Sequence, residues 1–560
     1  MFTKELLTEC QKLEEAWQAE CQRLYSEKGY LGATGAGIPV KAVYTPADIQ
    51  NLDYKDISMP GLFPYTRGIH PLMYQYAQWA TQQGLGYGLP ENTRARYDLL
   101  RKEGMEGYIP QYFIVNDAVV QHGYDPDHPA GKGQVGRCGT SWSNIKDYEI
   151  LFHDLPLDKT GVVLGTFDTS APALAMYIVC AEKMGYPTQK LRGHTINCAY
   201  RQTAMDLPSF VPENAFKVVA EVIKYCSRNI PRWAPISFQG FIYHTAGADA
   251  VREVAFALAP AIAVTETCME LGLHPDEFVS RYGFHFAADD DFFESIAKIR
   301  AFRRIWAKIA KERFGCKSPK SLQPILQIET STTSLTAQQP MNNIIRAALQ
   351  TLAAVLSSPN SIWTTHYDEA LSIPTEESAV LCVRTQQIIY HETKVANVVD
   401  PLGGSYYVEW LTHKLEEEIT KLLSKIDEMG FFQCWRTGWF RKETEKSAYE
   451  WRKGLEKGDN IKVGLNKYVT EGEAKVPIFR VDPQVEEIAI ERVKRFRAER
   501  NSDVTQASLR ELKGVARQVN QDWPRGGDLM PAVLNVVRAE ATLQEIMDVL
   551  KGEFGWGFVY

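Results

Sequence analysis

The stretch Pro64 to Tyr87, PYTRGIHPLMYQYAQWATQQGLGY, packs aromatic rings, amides, a histidine and turn glycines into one segment. It follows neither the 3.6-residue period of an amphipathic helix nor the alternation of a half-buried strand. A segment of that make-up contacts a ligand or fills an irregular core, and residue chemistry alone weights the two about equally. A second concentration of reactive groups is Asp289, Asp290 and Asp291 beside His285. Carboxylates and an imidazole suit a metal, but DDDFFESIAKIR reads better as a helix N-terminus, where acidic side chains meet the positive end of the helix dipole. No HExxH helix, phosphate-binding GxxxxGK[ST] loop or nucleophile motif occurs. The ten cysteines include no CxxC pair, so small buried thiols in a reducing compartment are expected rather than a zinc site or a disulfide framework.

The chain has 560 residues, 45% of them hydrophobic and 23% charged, enough for one large core or several domains. A net charge of -7 argues against a nucleic-acid partner, which selects a basic excess. No run approaches the roughly 20 apolar residues of a membrane span, and the N-terminus is helical and charged without a signal-peptide core. A cytoplasmic protein is expected.

The elements that must position any site follow a rhythm. A helix is expected over Thr3 to Glu27, followed by the glycine-rich arm GYLGATGAGIP, of a kind that commonly lies on a partner. A polar helical segment covers Glu91 to Gly107, and Tyr112 to Val120 is apolar around Asn116 and Asp117. Strands are read at Val162 to Phe167, Ile236 to Phe241, LQPILQIETS and SIWTTH. Helices are read at Ala171 to Met184, Asn214 to Asn229, Asp249 to Leu271, Phe292 to Phe314 and Asn342 to Leu356. Short apolar strands alternating with longer helices imply a parallel sheet, and units spread this far suit a closed (β/α)8 barrel over an open doubly wound sheet. A barrel gathers Asp168 to Ser170, Phe241 to Thr245, Glu329 to Thr333 and Thr365 to Glu369 at its C-terminal mouth. Three regions result: residues 1–40 as a helix and arm for subunit contacts, 41–400 as the barrel, and 401–560 as a charged helical extension.

PYTRGIHPLMY, GYDPDHP, SLTAQQPMNNIIRAALQTLAA, DEALSIPT, VVDPLGGSYYVEWLT and GLNKY stand in the order and approximate spacing of the substrate-binding part of the methylmalonyl-CoA mutase family. The resemblance runs from about residue 40 to the C-terminus. It implies a barrel that holds an acyl-CoA along its axis, adenosylcobalamin at the barrel mouth, and a radical carbon-skeleton rearrangement. The family's cobalt-ligating Asp-x-His-x-x-Gly motif does not occur in this chain. The resemblance therefore implies a separate small cobalamin-binding subunit, in an expected heterotetramer of two large and two small subunits, clasped by the N-terminal helix and arm. By matching motifs, Gly86, Asp117, Glu369 and Thr333 fall on the cofactor side. His70, Met73, Thr195, Ile196, Asn197 and Ile242 fall on the substrate side, and Arg281 on the CoA side.

The departures from that pattern concentrate at the substrate. The family's WTIRQYAGF reads WATQQGLGY, so that its radical-steering aromatic is Gly84 and its arginine is Gln82. Replacing a ring by hydrogen opens space on the order of a phenyl group, which a bulky acyl group or another side chain would fill. The family arginine that pairs with a substrate carboxylate falls at Asp206 or Met205, so a substrate without a free carboxylate is expected. The histidine that contacts the thioester carbonyl reads Ile242. Tyr243 and His244 are the nearest donors, and His244 is favoured as catalytic because alternation at a strand end places it on the side of Ile242. Asp206 is a candidate partner for a substrate hydroxyl or amine. The lost residues also leave open a non-catalytic paralogue that serves in assembly.

Overall fold

In a computed structural model of the chain, residues 1–24, 32–105, 107, 109–472 and 476–558 are described. The end expected for the first helix at Glu27, and the start of the glycine-rich arm, lie outside them. Helix α1 spans Lys4–Leu24.

The centre of the molecule is a ring of parallel strands. Strand β1 is formed by Ala80–Gln82 and Gly84–Leu85, β2 by Gln111–Val115, β3 by Gly161–Gly165 and β4 by Arg192–Thr195. Strand β5 comprises Trp233–Ala234 and Ile236–Gln239, β6 is Tyr282–Ala288, β7 Ile325–Thr330 and β8 Ser361–Trp363. Two strands pair differently along their two halves. The first half of β1 pairs with β8 and its second half with β2. The first half of β5 pairs with β4, and the second half with β6. Neighbours β2–β3–β4 and β6–β7–β8 complete the circuit, so the ring closes on itself. The interruptions fall at Gln83, whose side-chain amide donates to the Thr364 carbonyl at 3.1 Å, and at Pro235, which has no N–H to give the ladder.

Each strand is followed by a helix on the outside: α2 Pro90–Lys102, α3 Ile145–Phe152, α4 Ser170–Lys183, α5 Pro212–Asn229, α6 Ala250–Glu270, α7 Phe292–Lys308, α8 Asn342–Leu356 and α9 Glu376–His391. The expected (β/α)8 barrel is therefore the architecture. Most expected elements fall within a few residues of those observed. Strands β1, β2, β4 and β6 were not read as strands: β1 lies inside the stretch read as irregular, and β2 in a segment noted only as apolar. The acidic run behaves as a helix start, with Asp291 accepting from Glu294 N at 3.1 Å to cap α7.

The last third packs on the barrel. Helix α10, Tyr406–Met429, lies across α6 and α7. Helices α11 Phe431–Arg436, α12 Trp439–Lys457, α13 Gln484–Glu499, α14 Ser502–Gln521, α15 Leu529–Arg538 and α16 Leu543–Phe554 follow. One continuous apolar core joins Tyr65 to Phe554 through both regions. A buried charge network ties them together: Arg300 on α7 donates to Asp400 and Glu409, each at 2.5 Å, and Asp400 also takes Arg67 at 2.9 Å. The described part of the glycine-rich arm is anchored to the start of α7. Gly35 N donates to Asp291 and Ala36 N to Glu294, at 3.1 and 3.0 Å. No single described helix is long and apolar enough to cross a membrane.

Candidate functional site

Strand alternation fixes which side chains face the barrel axis. On β6, Phe284 and Phe286 pack outward on Phe302 of α7, which turns His285 inward. Register then carries the inward face around the ring. Gln239, His285, Gln327, Ser361 and Ala80 align as one layer, and Ala287, Glu329, Trp363 and Gln82 as the layer nearer the mouth. Barrels are ordinarily plugged by branched apolar residues at such positions. Here those layers carry amides, an imidazole, a hydroxyl, a carboxyl and an indole beside two alanines.

In the deeper layer His285 Nδ1 lies 2.9 Å from Gln239 Oε1. Because the Gln239 amide nitrogen donates to Ser237, its oxygen is the acceptor and His285 carries its proton on Nδ1. His285 Nε2 then faces Glu329 Oε2 at 3.2 Å, without the alignment of a hydrogen bond. Burial, with some help from His194, pushes the His285 imidazole down to about 3. Burial raises Glu329 well above the usual carboxylate range, and Glu369 adds to it. Burial thus disfavours the charged form of each group, and His285 is uncharged at physiological pH.

The upper layer settles the question of space at Gly84. A Cβ placed on Gly84 would lie 2.1 Å from Trp363 Cη2 and 2.4 Å from Cζ2. The indole occupies the volume that the missing ring leaves and packs edge-on against Phe113, ring centres 5.5 Å apart. The space next to Gly84 is therefore taken by Trp363. Gln82 is buried, and neither its Nε2 nor its Oε1 has a hydrogen-bond partner among the described residues.

At the mouth the turn after β8 carries a charged cluster. His366 lies 2.8 Å from Asp368 and 2.7 Å from the half-buried Glu369. Burial alone would lower the imidazole, but the Glu369 and Asp368 carboxylates outweigh it and raise it to about 9. Gly86 sits where backbones cross, since a Cβ there would stand 2.2 Å from the Val115 carbonyl oxygen. Thr333 is exposed at this end, 3.4 Å from His244.

Several expected site residues are used otherwise. Residues Gly240–Thr245 form a helical turn, so strand alternation does not apply, and Ile242 and His244 are separated by about 200° around that turn. His244 Nε2 is 2.8 Å from Ser331 and 3.8 Å from Asp289, at the mouth and away from the position of Ile242. Tyr243 is fully buried in the helical layer, its hydroxyl 2.5 Å from Thr203 and its ring against Phe256. Asp206 is exposed and pairs with Arg441 of α12 at 2.9 Å, outside the barrel. Thr195 accepts from the Trp233 indole at 2.9 Å on the outer face. Asn197 holds a positive φ and donates to the Val219 and Pro235 carbonyls, while Ile196 is buried beside it. Asp117 caps a turn by accepting from Val120 N and Gly136 N at 2.8 and 2.7 Å, and burial raises it to about 7. Met73 is buried and takes the His70 N–H on its sulfur at 3.3 Å ahead of β1, at the N-terminal end of the barrel. Arg281, also at that end, donates to the carbonyls of Cys226, Ile230 and Trp233 and to Ser227 Oγ. No carboxylate stands among its described partners.

His285, Gln327, Glu329 and Trp363 were not singled out as substrate contacts. The signal existed in YGFHFAA, where aromatic residues alternate with small or polar ones.

The site thus combines a (β/α)8 barrel, polar side chains on its axis and a charged cluster at its mouth. The model of the methylmalonyl-CoA mutase family matches residues 33–556, and the chain belongs to that family. It is 38% identical over 521 residues to the 2-hydroxyisobutanoyl-CoA mutase large subunit of Aquincola tertiaricarbonis, covering 92% of this chain and 91% of that one. It is 34% identical to the methylmalonyl-CoA mutase of Cereibacter sphaeroides, over 93% of this chain and 72% of the relative. The human mitochondrial methylmalonyl-CoA mutase is 32% identical over 99% and 73%. The chain is accordingly an acyl-CoA mutase, an isomerase by class.

Two outcomes test this geometry. Gly84→Phe forces a ring into the Trp363 indole and lowers unfolding free energy by about 2 to 3 kcal/mol. Adding Trp363→Ala returns at least about 1 kcal/mol of that loss, read from urea midpoints; strictly additive effects would contradict the contact. The second outcome concerns His366, whose pKa is raised by folding from about 6.5. Its contribution is complete below about pH 6.5 and is lost as pH rises through about 9, amounting to at most ~3 kcal/mol. The stability gap between the native chain and His366→Asn should shrink from pH 6 to pH 9.5. A pH-independent gap would show that His366 is not charged.

Proposed function

We propose that this chain is the large subunit of an adenosylcobalamin-dependent acyl-CoA mutase, acting on an acyl group of ordinary size that lacks a free carboxylate. The observation that carries this reading is the polar axis of a closed barrel, where apolar plugging is the rule. The cofactor belongs to a separate small subunit in this reading; the Aquincola relative is named a large subunit, which implies a partner subunit for that protein.

The residues at the mouth fit such a cofactor. Glu369 keeps one carboxylate oxygen free of the His366 contact, and a fixed carboxylate is a strong acceptor for paired ribose hydroxyls. Gly86 allows close approach over β1 and β2, and the exposed Thr333 and the Ser331-bonded His244 line the same rim. When bound, the cofactor supplies the radical that starts the rearrangement; the protein orients the substrate and excludes water. At the opposite end Arg281 offers a guanidinium whose described partners are all neutral, suited to a CoA phosphate. The acyl end then lies in the layer of Gln82, Glu329 and Trp363.

A dicarboxylic acyl group does not suit this axis. No free cation faces it among the described inward residues, and Arg201, buried at the same mouth, is already 3.3 Å from Asp168. In this reading residues 41–400 bind substrate, 401–560 brace the barrel, and 1–40 contact the small subunit in a complex of two large and two small subunits in the cytoplasm.

The test is reconstitution. The isolated chain should retain no cobalamin through gel filtration. Mixed with a cobalamin-binding subunit, adenosylcobalamin and a matching acyl-CoA, it should give a paramagnetic signal and an isomeric thioester. Tight cobalamin binding by the chain alone would overturn the two-subunit reading. A complete complex silent toward all short acyl-CoAs would overturn the activity.

A further inference from the structure

Five polar atoms in the two axial layers are buried without a hydrogen-bond partner among the described residues: Gln82 Nε2 and Oε1, Trp363 Nε1, Gln327 Nε2 and His285 Nε2. Buried polar groups are nearly always satisfied, so five in one place mark a ligand surface rather than a packing defect. They divide by chemistry. The amide nitrogens of Gln82 and Gln327 and the indole of Trp363 donate. Gln82 Oε1 accepts, and so does His285 Nε2, whose ring proton is committed to Gln239 on the other nitrogen.

Their depth separates them. Gln82, Glu329 and Trp363 are register partners across β1, β7 and β8 in the layer nearer the mouth. His285 and Gln327 are partners one layer deeper. With the CoA end at Arg281 and the chemistry at the mouth, the upper layer meets the acyl chain and the lower one the thioester and its neighbouring amide. The upper layer is also walled by the Trp363 indole over Gly84 and by Phe113, which limits the width of whatever enters.

Resting on the mutase reading above, we propose that Gln82, Glu329 and Trp363 form a subsite for a hydroxyl group on the acyl chain, so that the substrate is a hydroxyacyl-CoA. A hydroxyl donates one hydrogen bond and accepts others, matching the Gln82 carboxamide, which offers both, and the Trp363 N–H. A simple alkyl chain would leave these groups unpaired, and a site built for a hydroxyl rejects the analogue that lacks it more strongly than an apolar pocket rejects an added one. A carboxylate would find no free cation among the described inward residues. The Gln82 side chain thus positions the substrate and reads its polarity; it takes no part in bond making.

Calorimetry on the full chain tests this with matched thioesters: 2-hydroxyisobutanoyl-CoA against isobutanoyl-CoA, 3-hydroxybutanoyl-CoA against butanoyl-CoA, and succinyl-CoA. The expected result is at least about tenfold tighter binding of one hydroxyacyl-CoA than of its deoxy partner, with succinyl-CoA weakest. Gln82→Met, close in shape, should reduce that ratio to about one, whereas Glu329→Gln, which keeps a donor and an acceptor, should largely preserve it. The comparison of thioesters on the native chain needs no variant, so a misfolded variant leaves the result readable. Equal binding of both partners in each pair overturns the subsite. So does a Gln82→Met variant that weakens all thioesters alike, which would assign Gln82 to the pantetheine amides. Binding of no CoA thioester at all overturns the mutase reading together with the subsite.

Discussion

The geometry of the site depends on one constraint, that strand β1 must pair on both edges for the barrel to close. It does so by dividing at Gln83, with Ala80–Gln82 joined to β8 and Gly84–Leu85 joined to β2. Because side chains alternate with period two, a slip of one residue in either half would turn Gln82 and Gly84 out of the axis. The same pairings bring Trp363 beside Gln82 and over Gly84, so closure and the shape of the pocket are a single structural fact.

Polarity inside the barrel carries a cost that the fold meets by neutrality. Burial disfavours an ionised carboxylate at Glu329, which lies beside an uncharged His285. Full charges are held instead where carboxylates or water can answer them. His366 stands between Asp368 and Glu369 at the mouth, and Arg300 between Asp400 and Glu409 where the extension meets α7. Removing one partner from such a buried pair typically costs about 3 to 5 kcal/mol, so the extension is braced by electrostatics as well as by the shared core.

Much of this was legible in the sequence, for identifiable reasons. Long apolar helices such as Asn342–Leu356 and buried strands such as Gly161–Gly165 follow their patterns closely. Strand β1 escaped because its inward positions are glycine and glutamine and its run is broken in the middle, so it shows no apolar period. The strand ends placed the barrel mouth, and the resemblance made the loss of a ring at Gly84 visible. What filled the space was not, because Trp363 lies far along the chain and only the closure of the ring brings the two together. The alternation used to favour His244 fails for a local reason: the strand ends at Gln239, and the next residues coil into a helical turn with a different period. Tyr243 and Asp206 likewise look reactive in sequence, yet one is packed on Phe256 and Thr203 and the other is paired on the surface with Arg441.

The central claim is that the acyl end of a CoA thioester lies against β1 and β8 on the barrel axis. It is tested most directly by photolabelling the full chain with a CoA thioester that carries a diazirine at the end of a short acyl chain, followed by peptide mapping. The account predicts labels on Ala80–Leu85 and Ser361–Trp363, suppressed by an excess of unlabelled acyl-CoA. Competable labelling confined to the outer helices or to the C-terminal extension would contradict it.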